Sequence, residues 1–210
     1  MREGAAARQA ASASRASVIA IDGCGGGAEV RDDGGMSFDR DPGQPGVFRI
    51  CFVCTGNICR SPMAEAVFNE LIRRRGWEHL VVVQSAGTGE WHVGEPSDPR
   101  TLAALRARGY EGEVHRARQF DSDWFDDVDL IIAFDRTHER MLKSWAPDDD
   151  ARGKVHLLMS FDPGHGEANL DVPDPYYSDA AMFDTVLGMI ERACTALFRQ
   201  LEPGIRQGAS

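Results

Sequence analysis

The chain has 210 residues, is 42% hydrophobic and carries a formal net charge of −10. That is enough chain for one ordinary domain plus a tail, with enough apolar residues for a globular core. The acidic balance speaks against non-specific binding to nucleic acid or anionic membranes, and no apolar stretch approaches the length of a membrane span.

Residues 1–46 are rich in Ala, Gly, Ser and Asp, with Gly25-Gly26-Gly27 and Gly34-Gly35. Such a segment buries too little apolar surface to offset its ordering entropy, so a disordered tail is expected. Its one apolar run, Val18-Ile19-Ala20-Ile21, is too short for a signal-peptide core. Arg2, Arg8 and Arg15 among Ala and Ser hint at a transit peptide, but the acidic residues and Gly runs count against it. Met36 is an alternative start. The expected domain covers residues 47–202, with a short C-terminal tail at 203–210.

From there the elements alternate. An apolar strand at 48–53 leads into a short loop, and a helical pattern runs from 62 to 75. A second strand is predicted at 80–85, and a short helix at 99–108 closed by Gly109. Residues 130–134 are apolar on both faces and read as a central strand. A helix at 137–145 and a short strand at 155–158 follow. Residues 180–201 form a long helix, with Phe183, Val186, Leu187, Ile190, Cys194, Leu197 and Phe198 at helical spacing. This alternation predicts an α/β fold: a four-stranded parallel sheet with helices on both faces and a phosphate-binding loop after the first strand. Sites in such folds lie beyond the carboxyl ends of the strands.

Cys54 occupies that place, and Arg60 stands six positions later. Backbone N–H groups of a curled loop and of a helix start converge on one spot and favour an anion there. A cysteine at that spot is favoured as the thiolate, the nucleophilic form. The arginine offers a planar fork that fits phosphate oxygens. Gly56 and Asn57 tolerate positive φ, which a curled loop needs, and Pro62 suits a first helical turn. The chemistry indicated is phosphoryl transfer through a phosphocysteine; the bland alternative is a buried cysteine before an ordinary βα turn.

The run Cys54-Thr55-Gly56-Asn57-Ile58-Cys59-Arg60-Ser61-Pro62-Met63-Ala64-Glu65 resembles the low-molecular-weight protein tyrosine phosphatases. Ser85-Ala86-Gly87-Thr88, His115-Arg116-Ala117-Arg118-Gln119 and Asp174-Pro175-Tyr176-Tyr177 agree in order and spacing, so the resemblance covers about residues 48–202. It implies the strand order 2-1-3-4. It implies Asp174 as general acid, a role a tyrosyl leaving group requires because it departs poorly as an anion; otherwise Asp174 is a turn residue before proline. Ser178 stands where the family usually has Gly. The resemblance also implies that Asn57 organises the loop with Ser85 and His115 as partners, though His115 can equally be a surface residue. Asp135 is a supporting candidate or a helix-cap residue. Ser61 can donate to the Cys54 thiolate or cap its helix. Tyr176 and Tyr177 either flank the pocket mouth or pack the loop on the core; Trp91 is a further aromatic wall. Cys59 matches a family cysteine able to trap the oxidised nucleophile as a disulfide; otherwise it fills the back of the loop.

The function expected is hydrolysis of phosphotyrosine in proteins, with no cofactor and no metal. Three alternatives share the scaffold. An arsenate reductase needs two further cysteines, but residues 60–193 contain none. A protein-arginine phosphatase carries Thr in place of Ile58. A non-catalytic phosphate binder has no use for an acid such as Asp174. Five cysteines without a disulfide framework fit a reducing, cytoplasmic location. The expected partner is a phosphotyrosine protein, such as a bacterial tyrosine kinase or a host protein, and a monomer is expected.

Overall fold

In the computed structural model, residues 46–164 and 169–208 are described. Of the tail expected at residues 1–46, residues 1–45 lie outside the described residues, as do residues 209–210. The strands are β1 (Phe48–Cys54), β2 (Val81–Gly87), β3 (Leu130–Ala133) and β4 (Val155–Leu157). The helices are α1 (Arg60–Arg75), α2 (Pro99–Ala107), α3 (Arg136–Trp145), α4 (Asp149–Gly153) and α5 (Ala180–Gly208). The strands form one four-stranded sheet in the order β2-β1-β3-β4, and every pairing is parallel.

β1 lies between β2 and β3 and is buried along its whole length. Side chains alternate across a strand, so one sequence feeds two cores. Ile50, Phe52 and Cys54 pack with Met63, Val67 and Phe68 of α1 and with Phe183, Ile190 and Phe198 of α5. Cys51 and Val53 pack on the other face with Phe120, Phe125, Leu142 of α3 and Ala151 of α4. The expectation of helices on both faces is met in this way.

The register sets Cys54 beside Gly87, so β1 and β2 end at the same level. The chain leaving β2 then holds the loop that leaves β1. Thr88 N donates to Cys54 O at 2.7 Å, and Gly89 N to Thr55 O at 3.0 Å. Gly87 permits this approach, because a Cβ there would lie 2.7 Å from Thr55 O.

Two features differ from the sequence expectation. α5 continues past residue 201 to Gly208 with Pro203 inside it. The last turns stay attached because Ile205 is buried in the main core and Glu202 takes both Arg75 and Arg206. Helix α4 and the 3₁₀ turns at Ser122–Asp126 and Leu158–Phe161 were not anticipated. They are too short to carry a periodic pattern; two of them start on single caps, Asp148 accepting from Ala151 N and Asp121 from Asp123 N, and the turn at Leu158–Phe161 has no side-chain cap.

Candidate active site

The loop from Cys54 to Arg60 is organised from behind by Asn57. This side chain is fully buried, and its backbone sits at φ 55, in the left-handed region. Its Nδ2 donates to Ser61 Oγ at 2.9 Å and to Ser85 Oγ at 2.8 Å, and its Oδ1 accepts from Arg118 N at 2.9 Å. Ser85 Oγ in turn donates to Glu65 Oε2 at 2.5 Å. His115 Nε2 lies 2.8 Å from Asn57 O, and its Nδ1 lies 3.6 Å from Glu65 Oε2. Helix α1, strand β2 and the 115–118 segment thus all fix one asparagine.

Ser61 Oγ lies 3.0 Å from Cys54 Sγ. It does not cap α1, whose N-cap is Cys59 without a side-chain cap bond. The Ser61 oxygen accepts from Asn57 Nδ2, and its single proton can go either to Ala86 O at 3.3 Å or to a Cys54 thiolate. Cys59 differs in character. Burial pushes its thiol up to about 12, with help from the Asp98 carboxylate and from Cys54. Burial likewise holds Cys51 and Cys194 as thiols.

Arg60 opens α1 and is buried, with its fork held from several sides. Nη1 donates to Asp135 Oδ2 at 3.0 Å and to Val172 O at 3.1 Å. Nη2 donates to Thr55 Oγ1 at 3.2 Å and to Asp174 Oδ2 at 2.6 Å. Asp135 also caps α3, accepting from Thr137 N and His138 N, while its other oxygen holds Arg60. His138 is buried, with Nε2 2.8 Å from Thr55 Oγ1 and Nδ1 3.0 Å from Asp135 Oδ2. Burial alone would raise the Asp135 carboxyl. Its contacts with His138, and the charge of Arg60, overcome that and hold it well below the usual carboxylate range.

These groups meet at a cavity of about 390 Å³. Cys54, Thr55, Gly56, Ile58, Cys59 and Arg60 form its floor. Trp91, His92, Tyr176 and Tyr177 form the walls, and Asp174 stands among them. Trp91 and Tyr177 are strongly exposed, at 71% and 96%. Tyr176 is half-buried, packing on the main core while lining the cavity. Asn57, Ser61, Ser85, His115 and Asp135 support the floor from behind. Among the described residues no group of three or more His, Cys, Asp or Glu is placed to hold a metal ion.

Sequence reasoning missed four contributors. His92 follows Trp91 and packs on the loop, since a Cβ at Gly56 would lie 2.8 Å from His92 Cδ2. His138 and Glu65 are lone polar residues at helical positions, with no spacing that marks them. Arg100 belongs to a cap motif, Asp98-Pro99-Arg100, that predicts a helix start and nothing more.

A central β1 ending in a cysteine-to-arginine anion loop defines the class: a small α/β phosphatase built around a phosphate loop. The family model described as low molecular weight phosphotyrosine protein phosphatase matches residues 49–206. A low molecular weight protein-tyrosine-phosphatase of Streptomyces coelicolor is 53% identical over 150 residues, covering 71% of this chain and 91% of that protein. The crystal structure of YfkJ from Bacillus subtilis aligns with a TM-score of 0.71 at 35% identity, over 77% of this chain and 99% of the other. Vibrio vulnificus Wzb, solved in complex with benzylphosphonate, aligns with a TM-score of 0.64 at 30% identity, over 74% of this chain and all (100%) of the other. The chain belongs to the low molecular weight phosphotyrosine protein phosphatase family. It is an enzyme, a phosphoric monoester hydrolase of the protein-tyrosine-phosphatase type.

Proposed function

We propose that this enzyme hydrolyses phosphotyrosine in proteins through a cysteinyl-phosphate intermediate, with Asp174 as the acid and then the base. The observation that carries the reading is the convergence on Arg60. Its fork lies between the Cys54 loop, through Thr55 at 3.2 Å, and the Asp174 carboxylate, at 2.6 Å. A phosphate gripped by that fork has a sulfur nucleophile below it and a carboxyl group above.

The Cys54 thiolate attacks phosphorus, and the bond to the phenolic oxygen breaks. Asp174 gives that oxygen its proton, so tyrosine leaves neutral. The Asp174 carboxylate then takes a proton from water, whose oxygen attacks phosphorus and breaks the P–S bond. Phosphate leaves and the thiolate returns, while Ser61 and Arg60 stabilise charge at sulfur and at the phosphoryl oxygens.

The walls favour an aryl substrate, because Trp91, Tyr176 and Tyr177 offer ring faces and Ile58 is wholly apolar. The benzylphosphonate bound by Wzb has the same aryl-plus-phosphoryl form. A tyrosine kinase that carries its own phosphotyrosine is a fitting protein substrate for a cytoplasmic, monomeric enzyme of this kind.

The test is a quench experiment with a phosphotyrosine peptide. Phosphate should appear on the Cys54 peptide by mass spectrometry, and Cys54→Ser should abolish both the adduct and turnover. Asp174→Asn should lose two or more orders of magnitude on phosphotyrosine, the scale of general acid catalysis, and less on para-nitrophenyl phosphate. Full turnover by Cys54→Ser would end the proposal.

A further inference from the structure

We propose that Arg100 is a positioning residue for proton donation: it locks the Asp174 loop to the phosphate loop through Asp98. The inference rests on reading Asp174 as the proton donor.

Arg100 lies in the first turn of α2, and every part of its guanidinium is engaged. Nε and Nη2 hold the two oxygens of Asp98 at 3.0 and 2.7 Å. Nη1 donates to Ser178 O at 2.9 Å, and Nη2 to Tyr176 O at 2.9 Å. Its Cζ lies over the Phe183 ring, 4.5 Å from the centroid, at the start of α5. The other end of the link is equally defined. Asp98 is the α2 N-cap, its side chain is only 8% exposed, and its own N–H donates to Ile58 O at 2.9 Å. Ile58 belongs to the loop that would cradle the phosphate.

The acid is one peptide away. Asp174 Oδ1 accepts from Tyr176 N at 3.1 Å. Tyr176 therefore orients the acid with its N–H and is itself held by Arg100 through its C=O. Any shift of this residue moves the carboxyl relative to a phosphoryl group fixed in the loop. Misplacement of about 1 Å in such a group costs up to roughly a hundredfold in rate. A lysine cannot replace the clasp, because a single ammonium cannot grip a carboxylate side-on and two carbonyls at once.

A stabilising role alone predicts that all substrates suffer equally. A positioning role predicts that the loss grows with the basicity of the leaving group. The measurement is kcat/KM for phenyl phosphate and para-nitrophenyl phosphate in wild type, Arg100→Gln, Arg100→Lys and Asp98→Asn, with thermal melts for each. The Arg100 variants should lose at least about tenfold more on phenyl phosphate than on para-nitrophenyl phosphate, and Lys should not rescue. Adding Arg100→Gln to Asp174→Asn should add no leaving-group bias, since the donor is already gone. Equal losses on both substrates, or the same added bias in the Asp174→Asn background, would overturn the proposal. So would failure of all three single variants to fold, which would make the clasp a folding element. If Asp174→Asn itself shows no leaving-group bias, the acid assignment has failed; if it does and the Arg100 variants do not, only the clasp has.

Discussion

Asn57→Ala probes how the phosphate loop is held, and its cost can be worked from the structure. The substitution deletes three hydrogen bonds, buried ones to Ser61 and Ser85 and a part-buried one from Arg118 N. Ser61 and Ser85 keep other partners, Ala86 O and Glu65, so the group orphaned outright is the Arg118 amide. At a net value of about 1 kcal/mol each, the lost bonds amount to roughly 3 kcal/mol. Alanine at φ 55 adds about 1 kcal/mol of left-handed strain that asparagine tolerates better. The sum, about 4 kcal/mol, corresponds to a fall in Tm of roughly 8–16 °C for a domain of this size. Asn57→Gly separates the two parts: it relieves the strain but not the lost bonds, so it should recover only about 1 kcal/mol. Urea denaturation with matched thermal melts gives both values. If Asn57→Ala lies within about 1 kcal/mol of wild type, the loop is not held by this side chain and the reasoning fails.

Three further outcomes follow from the site. Ile58→Thr should narrow the preference for phosphotyrosine over phosphoarginine peptides, since an apolar wall leaves guanidinium donors unpaired at roughly 1–3 kcal/mol each; wild-type kcat/KM values that are already comparable would refute this. Peroxide should convert Cys54 to a disulfide with Cys59 that dithiols reverse. Cys59 is held protonated, with its pKa raised to about 12, so the reactive thiolate grows as pH rises towards that value. The step in which Cys59 displaces water from the Cys54 sulfenic acid should therefore accelerate about tenfold per pH unit from neutrality upwards, and a flat rate for that step, or sulfinic acid at Cys54 with Cys59 free, would contradict it. Asp174→Asn should bind inorganic phosphate more tightly, because the carboxylate that shares Arg60 is removed; with Asp174 half exposed, about 1 kcal/mol or fivefold in the inhibition constant is the expected scale, and weaker binding would count against it.

The strands and the loop were legible because each had a local signature, whereas the strand order came only with the resemblance. β1 and β3 are apolar runs bounded by turn residues, and Cys54 and Arg60 stand at a spacing the loop geometry demands. Asp174, Ser85 and His115 became legible only through resemblance, because their partners lie far off in sequence: Asn57 bonds Ser85 across 28 residues, and Arg60 reaches Asp174 across 114. His138, Glu65, His92 and Arg100 were illegible for the same physical reason. A polar residue whose partner is set by the fold, not by spacing, leaves no pattern behind. The extension of α5 was hidden by Pro203, since the rule that proline ends a helix ignores the tertiary contact made by Ile205.

The acidic chain and its anionic substrate pose an electrostatic problem that the site solves locally. A net charge of −10 gives no long-range attraction for a phosphate, and salt screens what field there is within about 8–10 Å. The attraction must then arise at contact, from loop amides and one guanidinium. Arg60 is buried beside two carboxylates, which lowers the cost of keeping its charge out of water. Those carboxylates are not equivalent. Asp135 is a helix cap, bound to two backbone amides and held ionised, so it is a fixed counter-ion. Asp174 is half exposed and, among the described residues, takes one other bond, from Tyr176 N, so it is the partner that can be exchanged. An incoming phosphate is therefore expected to replace Asp174 on the fork and to leave Asp135 in place. On the proposal that Asp174 is the proton donor, the displaced carboxyl stands over the leaving oxygen, and the pairing that stabilises the free enzyme also sets where that acid goes.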